Sequence, residues 1–321
     1  MLGVRTPFRI SFSGGSTDLP AFYKNYGGKV ISTSINKYMY HFIHRFDSKM
    51  IQIKYSETEL VNDPKKIKHK IVNKIAEYYD LTGLDINSIA DIPKGSGLGS
   101  SSAYTVGLLN GLNSISGFTL SKDDLAKLAA DLEINKLGEP IGKQDHYATA
   151  FGGLNKIVFN KDNTVTIEKI DIDDQSKKFL SSSISLLKIG PSRSASEILK
   201  NQSQQMKEEK NTKYGKQILS LVDPMVDAIK RCDIKEIGNL LNENWKLKIN
   251  LSDGVSSGEI DHMVSYILDK PGIHGTKLLG AGGGGYLLVV GEPNSIKSLN
   301  SDDCLSVDFE NSGSTVIFKD N

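Results

Sequence analysis

Polar and apolar positions alternate along the first part of the chain with the period of two that marks half-buried strands. Val4–Phe12 alternates in this way, and a polar loop, Gly14-Gly15-Ser16-Thr17-Asp18, follows it. Lys29–Asn36, Tyr38–Phe46 and Met50–Tyr55 are rich in β-branched and aromatic residues and predict three more strands. The spacing then lengthens to about four. Asp63-Pro64 opens a segment that carries Ile67, Ile71, Ile75 and Tyr78 on one side, which predicts a helix. Ile86–Ile92 reads as a strand running into a Gly/Ser-rich stretch, and Ser100 to Leu112 as a helix with a small-residue start. Ser121-Lys122-Asp123-Asp124 supplies a cap and an acidic first turn for a helix carrying Leu125, Leu128, Ala129 and Leu132.

Ile184–Ile189 predicts a further strand, closed by a loop at Gly190-Pro191. From Ala195 to about Asp269 the pattern is helical, with amphipathic segments at Ile218–Ile229, Ile237–Ile249 and Ile260–Leu268. Lys277–Leu279, Tyr286–Val290 and Ser314–Phe318 return to strand patterns. The sum predicts an α+β protein, with a mixed N-terminal half and a C-terminal half that combines helices with a few strands. A boundary within Ser182–Pro191 divides it into domains at 1–185 and 186–321.

Composition narrows the function classes. The 321 residues include 39 Lys and Arg against 38 Asp and Glu, a net charge of +1, which gives no bulk electrostatic footprint for nucleic acid. The two cysteines, Cys232 and Cys304, are far apart and lack metal-ligand spacing, so a reducing compartment is the default. Met1 to Phe12 lacks the apolar core of a signal peptide, and no later stretch reaches the roughly 18 apolar residues of a membrane helix. The chain therefore reads as cytoplasmic, with no membrane and no nucleic-acid partner. A homo-oligomer is left open.

The most informative stretch is Pro93-Lys94-Gly95-Ser96-Gly97-Leu98-Gly99-Ser100-Ser101-Ser102-Ala103. Glycines let the backbone approach a ligand with no side chain between. A helix starting just after points its N–H groups and positive dipole end at that ligand, and phosphate is the natural occupant. The serines add hydroxyls, one of them an oxygen of the hard kind that Mg²⁺ takes. A Walker A loop would need a Lys after the last glycine, and a dinucleotide fingerprint would need G-x-G-x-x-G where this chain has G-x-G-x-G. A Gly/Ser-rich surface turn is the remaining alternative.

This stretch resembles the second motif of the GHMP kinases, P-x-x-x-G-L-G-S-S-x, which Pro93 through Ser101 matches at each defined position. The resemblance implies that Lys94, Gly95, Ser96, Gly97, Leu98, Gly99, Ser100, Ser101 and Ser102 wrap the phosphates of ATP. Thr6 through Asp18 looks like the family's first motif, which implies that Arg9 sits near the reacting phosphoryl group. It also assigns Gly14, Gly15, Ser16, Thr17 and Asp18 to the sugar. A structural ion pair is the alternative for Arg9.

Lys277 through Gly285 is similar to the third motif, with core G-A-G-x-G-G, and implies that Gly282 and Gly283 lie beside the acceptor. A tight hairpin is the plainer reading of that run. Phosphoryl transfer also calls for a carboxylate near the attacking hydroxyl. Gly138-Glu139-Pro140-Ile141-Gly142-Lys143-Gln144-Asp145 resembles the family's run that ends in such an aspartate, which makes Asp145 the base or orienter. By the same resemblance Glu133 and Ser101 hold Mg²⁺, although Glu133 also reads as a solvated helix carboxylate. His146, adjacent to Asp145, cannot face it on a helix and reads as packing or substrate contact.

Within the family, the G-G-x-T-D-L-P form at Gly14–Pro20, Ser192 through Leu199, Asn244-Trp245 and the glycine run look like the heptose-phosphate kinases. That branch phosphorylates the anomeric oxygen of D-glycero-α-D-manno-heptose 7-phosphate, on the way to GDP-heptose and surface polysaccharide. The resemblance implies a sugar-phosphate substrate, whose distal phosphate calls for a cation. Arg193 is the first candidate because its guanidinium engages phosphate bidentately, with Lys24 and Lys37 behind it. An L-fucokinase-like enzyme acting on an unphosphorylated sugar and a non-catalytic sugar sensor are the alternatives.

Overall fold

The computed structural model describes residues 1–45, 49–190, 195–205, 209–299 and 303–320. The chain opens with β1 (Leu2–Ser13), α1 (Pro20–Tyr26) and the long strand β2 (Gly28–Arg45). β3 (Ile51–Lys54) and β4 (Thr58–Val61) form a hairpin, followed by a 3₁₀ turn at Pro64–Lys66, α2 (Lys70–Ile75) and β5 (Leu84–Ala90). Next come α3 (Ser100–Ile115), α4 (Lys122–Ala130), a π-helical turn at Asp131–Lys136 and α5 (Gln144–Phe151). β6 (Leu154–Phe159), β7 (Val165–Lys169), α6 (Asp174–Ser182) and β8 (Ile184–Ile189) complete this half.

The helices α7 (Ala195–Gln205), α8 (Glu209–Ser220), α9 (Val222–Lys230), α10 (Ile234–Lys248) and α11 (Gly258–Leu268) follow. β9 (Ile273–Leu278), β10 (Gly285–Gly291), α12 (Pro293–Ser298), β11 (Cys304–Leu305), β12 (Phe309–Glu310) and β13 (Thr315–Lys319) end the chain.

Two sheets organise these elements. The larger, nine-stranded one runs β13-β1-β2-β5-β3-β4, with β6 and β12 also paired to β2, and only its β3–β5 pairing is parallel. The smaller is an antiparallel sheet in the order β11-β8-β10-β9. The chain thus has an α+β architecture. Its last strands leave the second sheet and return to the first, where β13 covers the edge of β1.

The two segments expected around Lys37 are one strand. Residues 28–33 of β2 pair with β6 and residues 39–45 with β5, while β1 pairs with both stretches. The helix expected to open at Asp63-Pro64 and run through Tyr78 is shorter, with a 3₁₀ turn at Pro64–Lys66 in place of its start. His69 caps α2, which ends at Ile75, and Tyr78 is exposed. Ser121 caps α4 as its sequence predicts, accepting from the Asp124 amide at 3.1 Å, but Leu128 points outward. β1 is buried on both faces, because β2 and β13 flank it and α3 packs across it. The main core lies between α3 and the large sheet, and a second core joins β8, β9 and β10 to α10 and α11. Among the described residues no helix is long and apolar enough to cross a membrane.

Candidate active site

Six chain segments converge on a cavity of about 210 Å³. They are the end of β1 with its loop, the β5–α3 loop, the start of α5, α7 through Leu199, the end of α10, and β9 with the β9–β10 loop.

The β5–α3 loop follows the sequence expectation closely. Gly95, Gly97 and Gly99 take positive φ values of 75°, 77° and 79°, and Gly99 is the residue from which α3 starts. No side chain caps that helix end, and Ser100, Ser101 and Ser102 line the cavity. Gly97 is packed against the other glycine loop. A Cβ there would lie 2.6 Å from the Leu279 carbonyl oxygen, closer than real carbon atoms approach. Of the remaining loop residues, Lys94 is exposed while Ser96 and Leu98 are buried beneath the loop, so these three do not line the cavity.

Arg9 sits at the centre and is 2% exposed. Its Nε and Nη2 each donate to an Asp145 carboxylate oxygen at 2.7 Å, and its Nη1 donates to the Gly97 carbonyl at 2.6 Å. A planar guanidinium makes this fork-to-fork contact in one geometry, so Asp145 and the β5–α3 loop are held in register. Asp18 lies beside them, accepting from the Gln144 amide at 3.1 Å. The chain turns tightly around it: a Cβ on Gly142 would stand 1.8 Å from the Asp18 carboxylate. Burial pushes the Asp18 carboxyl up to about 6, against the pull of the Gln144 amide.

Gly15 and Ser16 line the cavity, whereas Gly14 and Thr17 shape the turn. The Thr17 hydroxyl donates to the Gly14 carbonyl at 2.7 Å and lies 2.9 Å from the Lys29 carbonyl.

Asp145 and His146, both in the first turn of α5, point to different partners. His146 Nε2 lies 3.2 Å from Glu133 Oε1, and both side chains are buried. The solvated reading of Glu133 is therefore corrected: the π-helical turn places its carboxylate inside, where the Ser101 hydroxyl donates to it at 2.7 Å. Burial alone would raise the Glu133 carboxyl, but the hydrogen bond and charge of His146 outweigh it and the shift is downward. The hydroxyl of Ser101 and the carboxylate of Glu133 are hard oxygens in contact at the edge of the phosphate loop. That donor set fits Mg²⁺, which takes few protein ligands and keeps several waters. Among the described residues no larger cluster of His, Cys, Asp and Glu forms a metal site.

The opposite wall was not anticipated. Asn244 and Lys248 from α10 and Lys277 from β9 line the cavity, all of them buried. Lys248 donates to the Gly280 carbonyl and Lys277 to the Phe12 carbonyl, the latter at 2.8 Å. Gln202 of α7 is fully buried, accepts from Ser16 at 3.1 Å and donates to the Ala281 carbonyl at 3.3 Å, so it ties the first loop to the third. One signal was available for Lys248. It lies in register with Leu241 and Trp245 on the apolar stripe of α10, where a lysine needs a reason to be.

In the glycine run, Gly280 and Ala281 line the cavity, while Gly282 and Gly283 do not. They pack against Val255, whose carbonyl accepts from the Gly283 amide at 3.0 Å. Arg193 lies outside the described residues.

Comparison with known proteins bears on the family and the fold. The GHMP kinases N terminal domain matches residues 66–153, and the GHMP kinases C terminal domain matches residues 225–299. A D-glycero-alpha-D-manno-heptose 7-phosphate kinase from Campylobacter jejuni is 28% identical over 322 residues, covering 95% of each chain. A bifunctional fucokinase/GDP-fucose pyrophosphorylase from Arabidopsis thaliana is 25% identical over 89% of this chain and 29% of its own length. Among solved structures, a D-glycero-D-manno-heptose 1-phosphate kinase from Bacteroides thetaiotaomicron superposes with a TM-score of 0.80 at 21% identity, covering both chains completely.

Proposed function

The chain belongs to the GHMP kinases and is an ATP-dependent sugar kinase, and from that premise we propose that it phosphorylates the anomeric hydroxyl of D-glycero-α-D-manno-heptose 7-phosphate. The product would be the 1,7-bisphosphate, made in the cytoplasm on the route to GDP-heptose and surface polysaccharide. The observation that carries the choice of sugar is the similarity to the Campylobacter jejuni enzyme, which runs through 95% of both chains.

In this reading the phosphates of ATP lie along Gly95–Ser102, where backbone amides and the N-terminus of α3 offer fixed positive dipoles at no reorganisation cost. Ser101 and Glu133 hold Mg²⁺, which neutralises phosphate charge when bound. Asp145 accepts a hydrogen bond from the sugar hydroxyl and aims it for in-line attack, and Arg9 holds that carboxylate in place through both of its oxygens. Asp18, at the closed end of the cavity, accepts from sugar hydroxyls. Arg193 engages the distal phosphate.

A second reading, a sugar-1-kinase for an unphosphorylated sugar, is favoured by the similarity to the Arabidopsis fucokinase. ADP release measured over heptose 7-phosphate, heptose, fucose and galactose separates the two. The distal phosphate, held by one charge-assisted bidentate contact, should raise kcat/KM by ~10- to 150-fold over free heptose. Equal values for heptose and its 7-phosphate would overturn the first reading and favour the second.

A further inference from the structure

Lys248 and Lys277 enter the cavity from different elements and are only 5% and 3% exposed. Each ammonium has three N–H groups, and among the described residues each makes one hydrogen bond, to a backbone carbonyl, Gly280 for Lys248 and Phe12 for Lys277. One turn before Lys248, Asn244 lines the same cavity at 2% exposure, and its Nδ2 has no hydrogen-bond partner among the described residues. The Oγ of Ser11, 5% exposed and lining the same cavity, likewise has none among them. Buried donors without acceptors are costly, and two buried ammoniums beside a guanidinium are more so.

The charged groups that face Lys248 do not resolve this. Arg9 and Lys277 repel it, while the carboxylates that attract it are Asp18 and Asp145. Asp145 is already committed to Arg9 through both oxygens. Among the described residues the wall therefore sets three cationic side chains, Arg9, Lys248 and Lys277, against the two carboxylates of Asp18 and Asp145, and it holds hydrogen-bond donors without acceptors.

We infer that this wall is a subsite for a tetrahedral phosphate group, with Lys248 and Lys277 supplying the charge and Asn244 and Ser11 the hydrogen bonds that fix its orientation. The inference rests on the kinase reading for its class of ligand, and not on which sugar is used. Two phosphates have this chemistry, the terminal one of the nucleotide and the one on the acceptor sugar. Burial supports the assignment from another side. It lowers the Lys248 ammonium to about 8 and takes Lys277 well below the ordinary lysine value. A phosphate arriving between them would restore their charge, so binding should draw protons from solution around pH 8 to 9.

Calorimetric titrations of the full chain with ADP, a non-hydrolysable ATP analogue, heptose and heptose 7-phosphate test this on wild type and Lys248→Met. If the nucleotide's terminal phosphate occupies the subsite, the preference for the ATP analogue over ADP should fall by ~10-fold or more in the variant. If the sugar's phosphate occupies it, the preference for heptose 7-phosphate over heptose should fall by the same factor. A folded Lys248→Met protein that keeps both preferences within about twofold overturns the inference.

Should that variant fail to fold, Asn244→Leu and wild-type titrations in buffers of different ionisation enthalpy decide. Proton uptake with the phosphate-bearing ligand, and its loss of affinity in Asn244→Leu, support the subsite, and the absence of both overturns it. A change confined to the nucleotide pair, with heptose 7-phosphate bound no better than heptose, keeps the subsite and removes the sugar-phosphate reading.

Discussion

The two walls of the cavity are built by different means. The N-terminal wall is one contiguous loop, Gly95–Ser102, in which a glycine-rich backbone and a helix end line the cavity. The C-terminal wall is assembled from side chains far apart in sequence, with Asn244 and Lys248 on α10 and Lys277 on β9. Amides carry no titratable charge and need no rotamer fixed, so the first wall is preorganised by its backbone path alone. Ammoniums lose solvation on burial, so the second wall depends on what packs around it and on pH. Arg9 joins the walls through Asp145 and Gly97, and the backbone contact of Gly97 with Leu279 and Gly280 joins them again.

The largest effect should come from the joint between the walls. Asp145→Asn keeps the shape but removes the charge that Arg9 grips and the group able to accept a proton from the hydroxyl. Steady-state kinetics should show kcat lower by ~10²–10⁴, with nucleotide affinity nearly unchanged. A variant with half the wild-type kcat would remove Asp145 from the chemistry.

Gly97→Val should affect both walls at once. The added carbon atoms would stand at phosphate and also strike the Leu279 backbone, from a residue whose φ of 77° a β-branched side chain resists. Thermal unfolding should report a loss of about 1–3 kcal/mol, together with a higher KM for ATP. A rise in KM with unchanged stability would show that the glycine loops are not packed against each other in solution.

The third test uses pH. The Asp18 carboxyl is raised from its ordinary 3.8 to about 6, chiefly by burial. The folded state thus holds this proton more tightly than the unfolded state. The contribution of Asp18 to stability is full below about pH 4 and falls by ~3 kcal/mol as pH rises to about 6. Sugar KM should run the other way and decrease through that range, because the ionised carboxylate is the better acceptor. A pH profile of sugar KM that is the same in Asp18→Asn as in wild type would refute the assignment.

The smallest effect is expected at Gln202→Ala, which cuts the link between Ser16 and Ala281. Two buried hydrogen bonds lose their partner, and about 1–2 kcal/mol should be lost. It should appear as a several-fold rise in sugar KM with the ATP KM unchanged. Equal changes in both constants would place Gln202 in the general packing rather than between the first and third loops.

Local signals were strongest where one short segment performs one task. The alternation of Val4–Phe12, the cap at Ser121 and the glycine-serine loop before α3 were legible because each is decided by neighbours in sequence. The sequence also named Arg9, Asp145, Ser101 and Glu133, and the structure brings these into two touching pairs. It misjudged the lengths of β2 and α2, because pairing partners and tertiary burial set where an element stops.

By itself the sequence determined the α+β class and the backbone form of the glycine-serine loop, which follow from periodicity and backbone permissiveness acting over a few residues. The residues of the first and second motifs were legible only through their resemblance to the GHMP kinases. Only the tertiary structure decided that Glu133 is buried against His146, that Gly282 and Gly283 serve packing, and that Lys248 and Lys277 meet across one cavity. The apolar stripe of α10 hints that Lys248 is buried, but what it meets there depends on segments far apart in the chain. Lys277 reaches the Phe12 carbonyl across 265 positions of chain, a pairing that no local pattern encodes.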